Sequence, residues 1–200
     1  MNFKFLQDKK IILLGLGRSN LALAKILDEN GIAFEIRDAD EQVTNFSVKN
    51  FEVKSRFGSN YLEDLDADII FRSPGISYFC QELVSAKNHG VKISSEIELF
   101  FDVCPCKICG ITGSDGKTTT TTLIYAILKK MGLDAFIGGN IGTPIISQVN
   151  KMKRNSIAVV ELSSFQLASM QKSPQISVIT NVSPNHLDIH RLCIHNHASI

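Results

Sequence analysis

A glycine-rich segment in the second half of the chain carries the strongest chemical signal. It reads Gly110-Ile-Thr-Gly113-Ser114-Asp115-Gly116-Lys117-Thr118-Thr119, follows an apolar run and precedes a long helical pattern. Glycines let successive backbone N–H groups face an anion, and a helix start adds partial positive charge. Lys117 adds a cation for the outer phosphates, and the Thr118 hydroxyl suits magnesium. The segment predicts a phosphate-binding loop over residues 113–119, although Ile111 stands where the generic motif has its first glycine. The alternative is a glycine turn that only joins a strand to a helix.

Two polar residues follow apolar runs further along the chain. Glu161 ends the predicted buried strand that begins at Ile157, and Asn140 lies in the loop Gly138-Gly-Asn-Ile-Gly142. Because hard cations bind oxygen donors beside phosphates, Glu161 is a predicted magnesium ligand together with Thr118. The Asn140 amide can contact a phosphate or an acyl oxygen. The alternatives are a capping or surface glutamate and a plain glycine turn.

A second glycine turn opens the chain. Gly15-Leu-Gly17-Arg18-Ser19-Asn20 partly matches the dinucleotide fingerprint, and Asp38 ends the next predicted strand, where a ribose-binding acid belongs. Asn20 replaces the third glycine, which we expect to weaken helix–strand packing. The turn predicts a nucleotide or phosphate ligand, with NAD less favoured than another nucleotide. Ser73-Pro-Gly follows a further strand and is either part of this site or a simple turn.

Histidines and cysteines near the end of the chain invite a zinc interpretation. His186 and His190 are four residues apart, with Cys193, His195 and His197 beyond them. No set of four has the spacing of a zinc finger, so we do not expect zinc there. Cys104, Cys106 and Cys109 are expected to be buried thiols near a strand.

Short apolar runs alternate with amphipathic stretches along the whole sequence. This alternation predicts an α/β protein with parallel sheets covered by helices. The Cys104-Pro105-Cys106 segment separates two series that each open with a strand and a glycine-rich turn. We therefore expect a Rossmann-like domain over residues 1–103 and an incomplete P-loop α/β domain over residues 104–200.

The first series contains strands at residues 11–14, 33–36, 68–71 and 91–93 and helices at residues 19–30, 81–89 and 95–101. The second contains strands at residues 107–112, 134–137, 157–162 and 176–180 and a helix at residues 117–131.

The amino-acid composition disfavours several classes of function. The chain has 200 residues, 21 basic and 20 acidic side chains and a net charge of +1, so no field of one sign favours nucleic acid or a membrane surface. Five cysteines and a start without a signal-peptide pattern favour a cytoplasmic location. No stretch has the length of an apolar membrane span, and we expect a soluble monomer.

Six blocks of this sequence resemble the Mur ligases of bacterial cell-wall synthesis. They are Gly15-Leu-Gly17-Arg-Ser19, Ser73-Pro-Gly-Ile, Gly110-Ile-Thr-Gly-Ser-Asp-Gly-Lys-Thr-Thr, Gly138-Gly-Asn-Ile-Gly, Glu161-Leu-Ser-Ser-Phe-Gln-Leu and Asn181-Val-Ser-Pro-Asn-His-Leu-Asp. Two of the blocks, the Glu161 string and the first turn, favour the family member that adds D-glutamate to UDP-N-acetylmuramoyl-L-alanine.

The resemblance implies roles for named residues. Gly17, Arg18, Ser19, Asp38 and Ser73 would hold the uridine nucleotide of the muramoyl substrate. ATP would bind residues 113–119, with Thr118 and Glu161 on Mg²⁺ and His186 placing a second ion. Asn140 would contact the substrate side of the transfer, so that Lys117, Asn140 and His186 form the implied catalytic set.

The resemblance also implies the reaction. A substrate carboxylate attacks the γ-phosphorus of ATP, and the amine of D-glutamate opens the resulting acyl phosphate in an ATP-dependent carbon–nitrogen ligation. Since the family has a longer central domain and a third domain, we expect this chain to keep its loops as a fragment without completing catalysis. Two alternatives stay open: a nucleotide-binding module without chemistry, and a dinucleotide-dependent oxidoreductase, which Asn20 and the second loop oppose.

Overall fold

The computed structural model describes residues 3–43, 49–50 and 52–184. The chain divides into two compact units, Met1–Glu96 and Ile97–Ile200. The boundary expected from the sequence lies one short helix further along, after residue 103. That domain assignment remains a prediction.

The described residues of the first unit form a five-stranded parallel sheet in the order β3-β2-β1-β4-β5. Its strands are β1 (Ile11–Leu14), β2 (Glu35–Asp38), β3 (Lys54–Phe57), β4 (Ile69–Arg72) and β5 (Lys92–Ser94). Its helices are α1 (Arg18–Glu29) and α2 (Gln81–Asn88), with 3-10 turns at Lys4–Leu6 and Gly58–Asn60. Strands β1 and β4 are buried along their whole length, as expected for the centre of a parallel sheet.

The strand order places two loops side by side in this unit. The chain runs from β1 outward to β2 and β3, and then returns to the other side of β1 as β4. In open α/β sheets, ligands bind at such a reversal, outside the carboxyl ends of the strands. Here the turn at residues 15–17 and the segment that starts at Ser73 lie there, and Ser73 N donates to Leu14 O at 2.8 Å.

Asn20 corrects one expectation about this turn. Its side chain is completely buried, and Nδ2 donates to Gly15 O at 2.8 Å and Phe71 O at 2.9 Å. A third, longer bond of 3.2 Å reaches Leu14 O. The prediction that Asn20 weakens helix–strand packing is therefore wrong, because the amide joins helix α1 to the ends of β1 and β4.

Among the described residues, the second unit has a four-stranded parallel sheet in the order β7-β8-β6-β9. Its strands are β6 (Lys107–Thr112), β7 (Ala135–Gly139), β8 (Ile157–Glu161) and β9 (Ile176–Ile179). Its helices are α3 (Glu96–Val103), α4 (Lys117–Lys130) and α5 (Ser164–Leu167), with a 3-10 helix at Ile145–Lys151. The predicted α/β class with two parallel sheets is confirmed.

The core of the second unit fixes helix α4 on the sheet. Ile124, Tyr125 and Leu128 of α4 pack against a buried cluster formed by Cys109, Ile111 and Val159. These residues lie on β6 and β8, the two central strands. The contact therefore holds the start of α4 directly beyond the carboxyl end of β6.

The structure describes four of the five cysteines. Cys106 and Cys109 are buried, Cys104 and Cys80 are half-buried, and all four are free thiols. Cys193 lies outside the described residues. In the part of the chain that the structure describes, no helix is both long enough and apolar enough to cross a membrane.

Candidate functional site

The glycine-rich loop joins β6 to α4. Gly113 has φ +136° and Gly116, the residue before the helix, has φ +75°, both in the left-handed region that favours glycine. The first helical bond runs from Thr120 N to Gly116 O at 2.9 Å. The amides of residues 116–119 precede that bond, and no side chain caps the helix start. This arrangement suits an anion such as a phosphate group.

Lys117 directs its ammonium group back onto the loop. Nζ donates to Gly113 O at 2.7 Å and to Ser114 O at 2.8 Å. Both acceptors are neutral carbonyls, and a bond from the ammonium group to an anionic phosphate oxygen is stronger. A bound phosphate can therefore draw the ammonium group from the loop carbonyls.

Two of the predicted magnesium ligands, Thr118 and Glu161, meet at the edge of the sheet where β6 and β8 end. Thr118 Oγ1 donates to Glu161 Oε2 at 2.8 Å, and Asn140 Nδ2 donates to Glu161 Oε1 at 3.0 Å. Asn140 N also donates to Glu161 O at 2.9 Å. Parallel pairing explains this meeting, because Glu161 is in register with Ile111 on one side and Gly139 on the other.

The donor set fits a hard divalent cation. Glu161 is only 1 % exposed, and both of its side-chain hydrogen-bond donors are neutral groups. Burial of a carboxylate without a compensating positive charge is costly. Carboxylate and hydroxyl oxygens beside a phosphate-binding loop are ligands that Mg²⁺ accepts. The residues present therefore fit the ion that the sequence predicts.

The segment after β9 also reaches the loop. Ser114 N donates to Asn181 O at 3.0 Å, and Asp115 N donates to Asn181 Oδ1 at 2.9 Å. The Ser114 and Asp115 amides therefore bind Asn181 instead of pointing into a common anion site with residues 116–119. Sequence reasoning missed these contacts. The available signal was that Asn181 follows a strand whose carboxyl end lies at the same sheet edge.

In the first unit the predicted nucleotide residues surround the start of α1. Gly17 is the residue before this helix, so Arg18 and Ser19 form its first turn. Asp38 Oδ2 accepts a bond of 2.5 Å from Leu16 N and thereby fixes the turn. A Cβ atom on Gly17 would lie 3.3 Å from Ser73 Oγ, which places that hydroxyl beside the turn.

A separate cavity of about 710 Å³ in the first unit lies between residues 62–67 and helix α2. Its lining includes Glu63, Asp64, Asp66 and Glu82, and none of the predicted site residues. An acidic lining repels phosphate groups. This cavity therefore does not suit a phosphate-bearing ligand, and the nucleotide site expected at the glycine turn remains a prediction.

Several predicted residues cannot be placed. His186 and the zinc candidates His190, Cys193, His195 and His197 lie outside the described residues. Within residues 3–43, 49–50 and 52–184, no cluster of three or more histidine, cysteine or acidic side chains could hold a metal ion. The role of His186 stays a prediction.

Comparison with known families matches both halves of the chain. Residues 9–95 match the family described as "Mur ligase MurD-like, N-terminal domain", and residues 111–195 match "Mur ligase middle domain". The chain therefore belongs to the Mur ligase family and carries sequence of these two domains.

Curated relatives refine that membership. The chain is 45% identical over 193 residues to the UDP-N-acetylmuramoylalanine–D-glutamate ligase of Acetivibrio thermocellus, a match that covers 94% of this chain and 41% of the relative. It is 46% identical over 192 residues to the enzyme of the same name from Clostridium botulinum, covering 94% and 42%. The chain thus spans about two fifths of the length of these relatives.

Solved structures share the fold at low sequence identity. The UDP-N-acetylmuramate:L-alanyl-gamma-D-glutamyl-meso-diaminopimelate ligase (MPL) from Neisseria meningitides aligns with a TM-score of 0.56 at 19% identity, over 96% of this chain and 66% of that chain. The UDP-N-acetylmuramate–alanine ligase MurC of Thermotoga maritima aligns at 0.52 and 22% identity, over 96% and 46%. These likenesses support the two parallel α/β units.

Proposed function

We propose that the chain provides the uridine-nucleotide-binding and ATP-binding parts of an ATP-dependent ligase that adds D-glutamate to UDP-N-acetylmuramoyl-L-alanine in peptidoglycan synthesis. The observation that carries the ATP site is the Thr118–Glu161 contact of 2.8 Å at the start of α4. The substrate assignment comes from the two UDP-N-acetylmuramoylalanine–D-glutamate ligases that are 45% and 46% identical to this chain over the aligned residues.

The loop and the start of α4 have the chemistry for holding a triphosphate. The amides of residues 116–119 and the ammonium group of Lys117 bind phosphate oxygens, and Thr118 and Glu161 hold Mg²⁺. The ion neutralises charge on the phosphates when it is bound. Phosphoryl transfer depends mainly on such positioning and charge neutralisation. The described residues therefore offer ligands for the phosphates and for one cation in the proposed first step.

The reaction we propose has two steps. A carboxylate oxygen of the muramoyl-alanine substrate attacks the γ-phosphorus, ADP leaves, and an acyl phosphate forms. The D-glutamate nitrogen then attacks the acyl carbon, phosphate leaves, and the nitrogen loses a proton. Asn140 donates to the Glu161 carboxylate through its amide, and we propose that it contacts the substrate side of the transfer. His186 is proposed to place a second Mg²⁺.

The first unit is proposed to bind the uridine nucleotide of the substrate at Gly17, Arg18, Ser19, Asp38 and Ser73. The strand-order reversal between β1 and β4 supports this placement. Asp38 contributes a carboxylate at the end of β2, as sites for a ribose do. A cytoplasmic location is proposed with this function, because its substrates are nucleotides.

A binding module without chemistry is the second candidate. The contacts of Lys117 and Glu161 support nucleotide binding as such, with or without turnover. Both candidates require the same two nucleotide sites. They differ in whether the purified chain releases phosphate when D-glutamate is added.

Calorimetric titration of the purified chain tests the proposed sites. We expect separate binding of UDP-N-acetylmuramoyl-L-alanine and MgATP, with little binding of NAD. Lys117→Ala should weaken MgATP binding at least tenfold and leave the UDP-sugar affinity unchanged. Binding of NAD alone, or MgATP binding that does not depend on Lys117, contradicts the proposal. Sustained phosphate release that depends on D-glutamate would favour the ligase over the binding module.

A further inference from the structure

Asn181 holds two successive residues of the phosphate loop. Its backbone oxygen accepts from Ser114 N at 3.0 Å, and its side-chain Oδ1 accepts from Asp115 N at 2.9 Å. The loop is tied to β6 at one end and to α4 at the other. Asn181, which follows β9, therefore fixes the middle of the loop from a third element of the unit.

Neighbours of Asn181 reinforce this connection. Ser114 Oγ donates to Ser183 O at 2.8 Å and accepts from Ser183 N at 2.8 Å. Thr180 Oγ1 donates to Asp115 O at 2.5 Å. A Cβ atom on Gly113 would lie 2.1 Å from Thr180 Oγ1, so this close approach requires glycine. The segment 180–183 and the loop thus pack as one piece.

These bonds determine which loop amides can meet a phosphate. The Ser114 and Asp115 amides are directed at Asn181, whereas the amides of residues 116–119 precede the first helical bond. A loop held in its binding geometry before the ligand arrives loses less conformational freedom on binding. Asn181 thus contributes to affinity through the loop and without touching the nucleotide.

We propose that Asn181 is a positioning residue of the nucleotide site, with its side-chain oxygen orienting Asp115 and hence the start of α4. The inference rests on the proposed ATP site and adds a residue to it. The ligand class is a nucleoside triphosphate, since the loop that Asn181 holds is the one facing the phosphates.

Three variants separate positioning from general stability. Asn181→Ala removes Oδ1 and keeps the backbone acceptor, Asn181→Asp keeps an acceptor oxygen and adds a charge, and Ser183→Ala is the matched control. Ser183 contacts Ser114 through its backbone, so its side chain is dispensable for the contact. MgATP and UDP affinities and the unliganded Tm are measured for each.

We expect Asn181→Ala to weaken MgATP binding about fivefold, the effect of one lost hydrogen bond, with UDP affinity unchanged. Ser183→Ala should bind like the wild type. Asn181→Asp should bind MgATP weakly at low salt and approach the wild-type affinity at 0.5 M NaCl, where its added charge is screened. Recovery of MgATP affinity at high salt separates the effect of the acceptor oxygen from the effect of the added charge.

Each outcome decides between the two proposals. If the wild type binds MgATP through Lys117 and Asn181→Ala binds equally well, the positioning role is overturned and the ATP site stands. If the wild type does not bind MgATP, both are overturned. If Asn181→Ala does not fold, Asn181→Asp decides: wild-type affinity at 0.5 M NaCl supports the role, and persistent weak binding overturns it.

Discussion

Thr118 Oγ1 and Glu161 Oε2 lie 2.8 Å apart, although the two residues are 43 positions apart in the chain. The parallel pairing of β6 with β8 produces this contact, since both strands end at the same edge of the sheet. A hydroxyl from the first turn of α4 thus meets a buried carboxylate. The geometry suits the proposed cation site beside the phosphate loop, where a bound cation would compensate the buried charge of Glu161.

Gly139→Ala should strongly destabilise the second unit. Gly139 has φ +101°, and a Cβ atom there would lie 2.3 Å from Glu161 O. Backbone atoms cannot move aside cheaply, so we expect a loss of about 2–3 kcal/mol in the free energy of unfolding. Gly132→Ala is the matched control, because Gly132 has φ +76° and nothing within 4 Å. Gly132→Ala should lower the free energy of unfolding by about 1 kcal/mol. Equal losses of unfolding free energy for the two variants in urea would contradict this account.

Asn20→Leu should destabilise the first unit by about 2 kcal/mol, because it removes the amide donors of carbonyls in a buried region. Asn30→Leu provides a comparison with the same change of side chain. Asn30 is exposed and its Nδ2 makes one bond of 2.7 Å, to Ile26 O. We expect it to cost less than 1 kcal/mol. Urea unfolding followed by circular dichroism measures both; a smaller loss for Asn20→Leu than for Asn30→Leu would refute the role assigned to Asn20.

Cys106 should react slowly with iodoacetamide at neutral pH. Burial, with the Cys104 thiol Sγ at 3.5 Å, raises the pKa of Cys106 from 9.0 to about 12. The thiolate is the nucleophile, so the modification rate should keep rising above pH 9 in the folded chain. In the urea-unfolded chain it should level off near pH 9. Peptide mass spectrometry gives the rate for Cys106, and levelling near pH 9 in the folded chain would show that the pKa is not raised.

Strand positions were predictable where a strand is both apolar and central. β1 and β6 have the bounds that their sequences predict, because buried central strands are continuous apolar runs. β2 was predicted at residues 33–36 and forms at Glu35–Asp38. Ile32 and Phe34 are buried without being in the strand, so their apolar character indicated burial and not the position of the strand. Pairing of Glu35 with Ile12 sets the actual register.

One strand and one α-helix were not predicted from the sequence, each for a physical reason. β3 reads Lys-Ser-Arg-Phe and is an edge strand whose first two residues are exposed, so it lacks an apolar pattern. α5, at Ser164–Leu167, is one turn that depends on a capping box between Ser163 and Gln166. Short elements of this kind depend on capping and pairing more than on hydrophobic periodicity.

The proximity of the candidate site residues could be predicted from the sequence only as far as the parallel strand arrangement could. Lys117, Asn140 and Glu161 each follow or end a strand, so a parallel sheet places all three at one edge. The direction of Lys117 Nζ toward Gly113 O and Ser114 O, and the bonds of Asn181 to the loop, depend on side-chain geometry that spacing does not encode.

The most direct test measures ATP binding to the wild type and to Glu161→Gln, each with Mg²⁺ and with EDTA, using calorimetry and checking the unliganded Tm. Glu161→Gln keeps the shape and removes the charge. We expect Glu161→Gln to lower MgATP affinity about tenfold and to leave Mg²⁺-free ATP affinity unchanged. The control Glu29→Gln, which removes an exposed charge, should leave both affinities unchanged. Equal MgATP affinity for folded wild type and Glu161→Gln would contradict the assignment of Glu161 to the magnesium site.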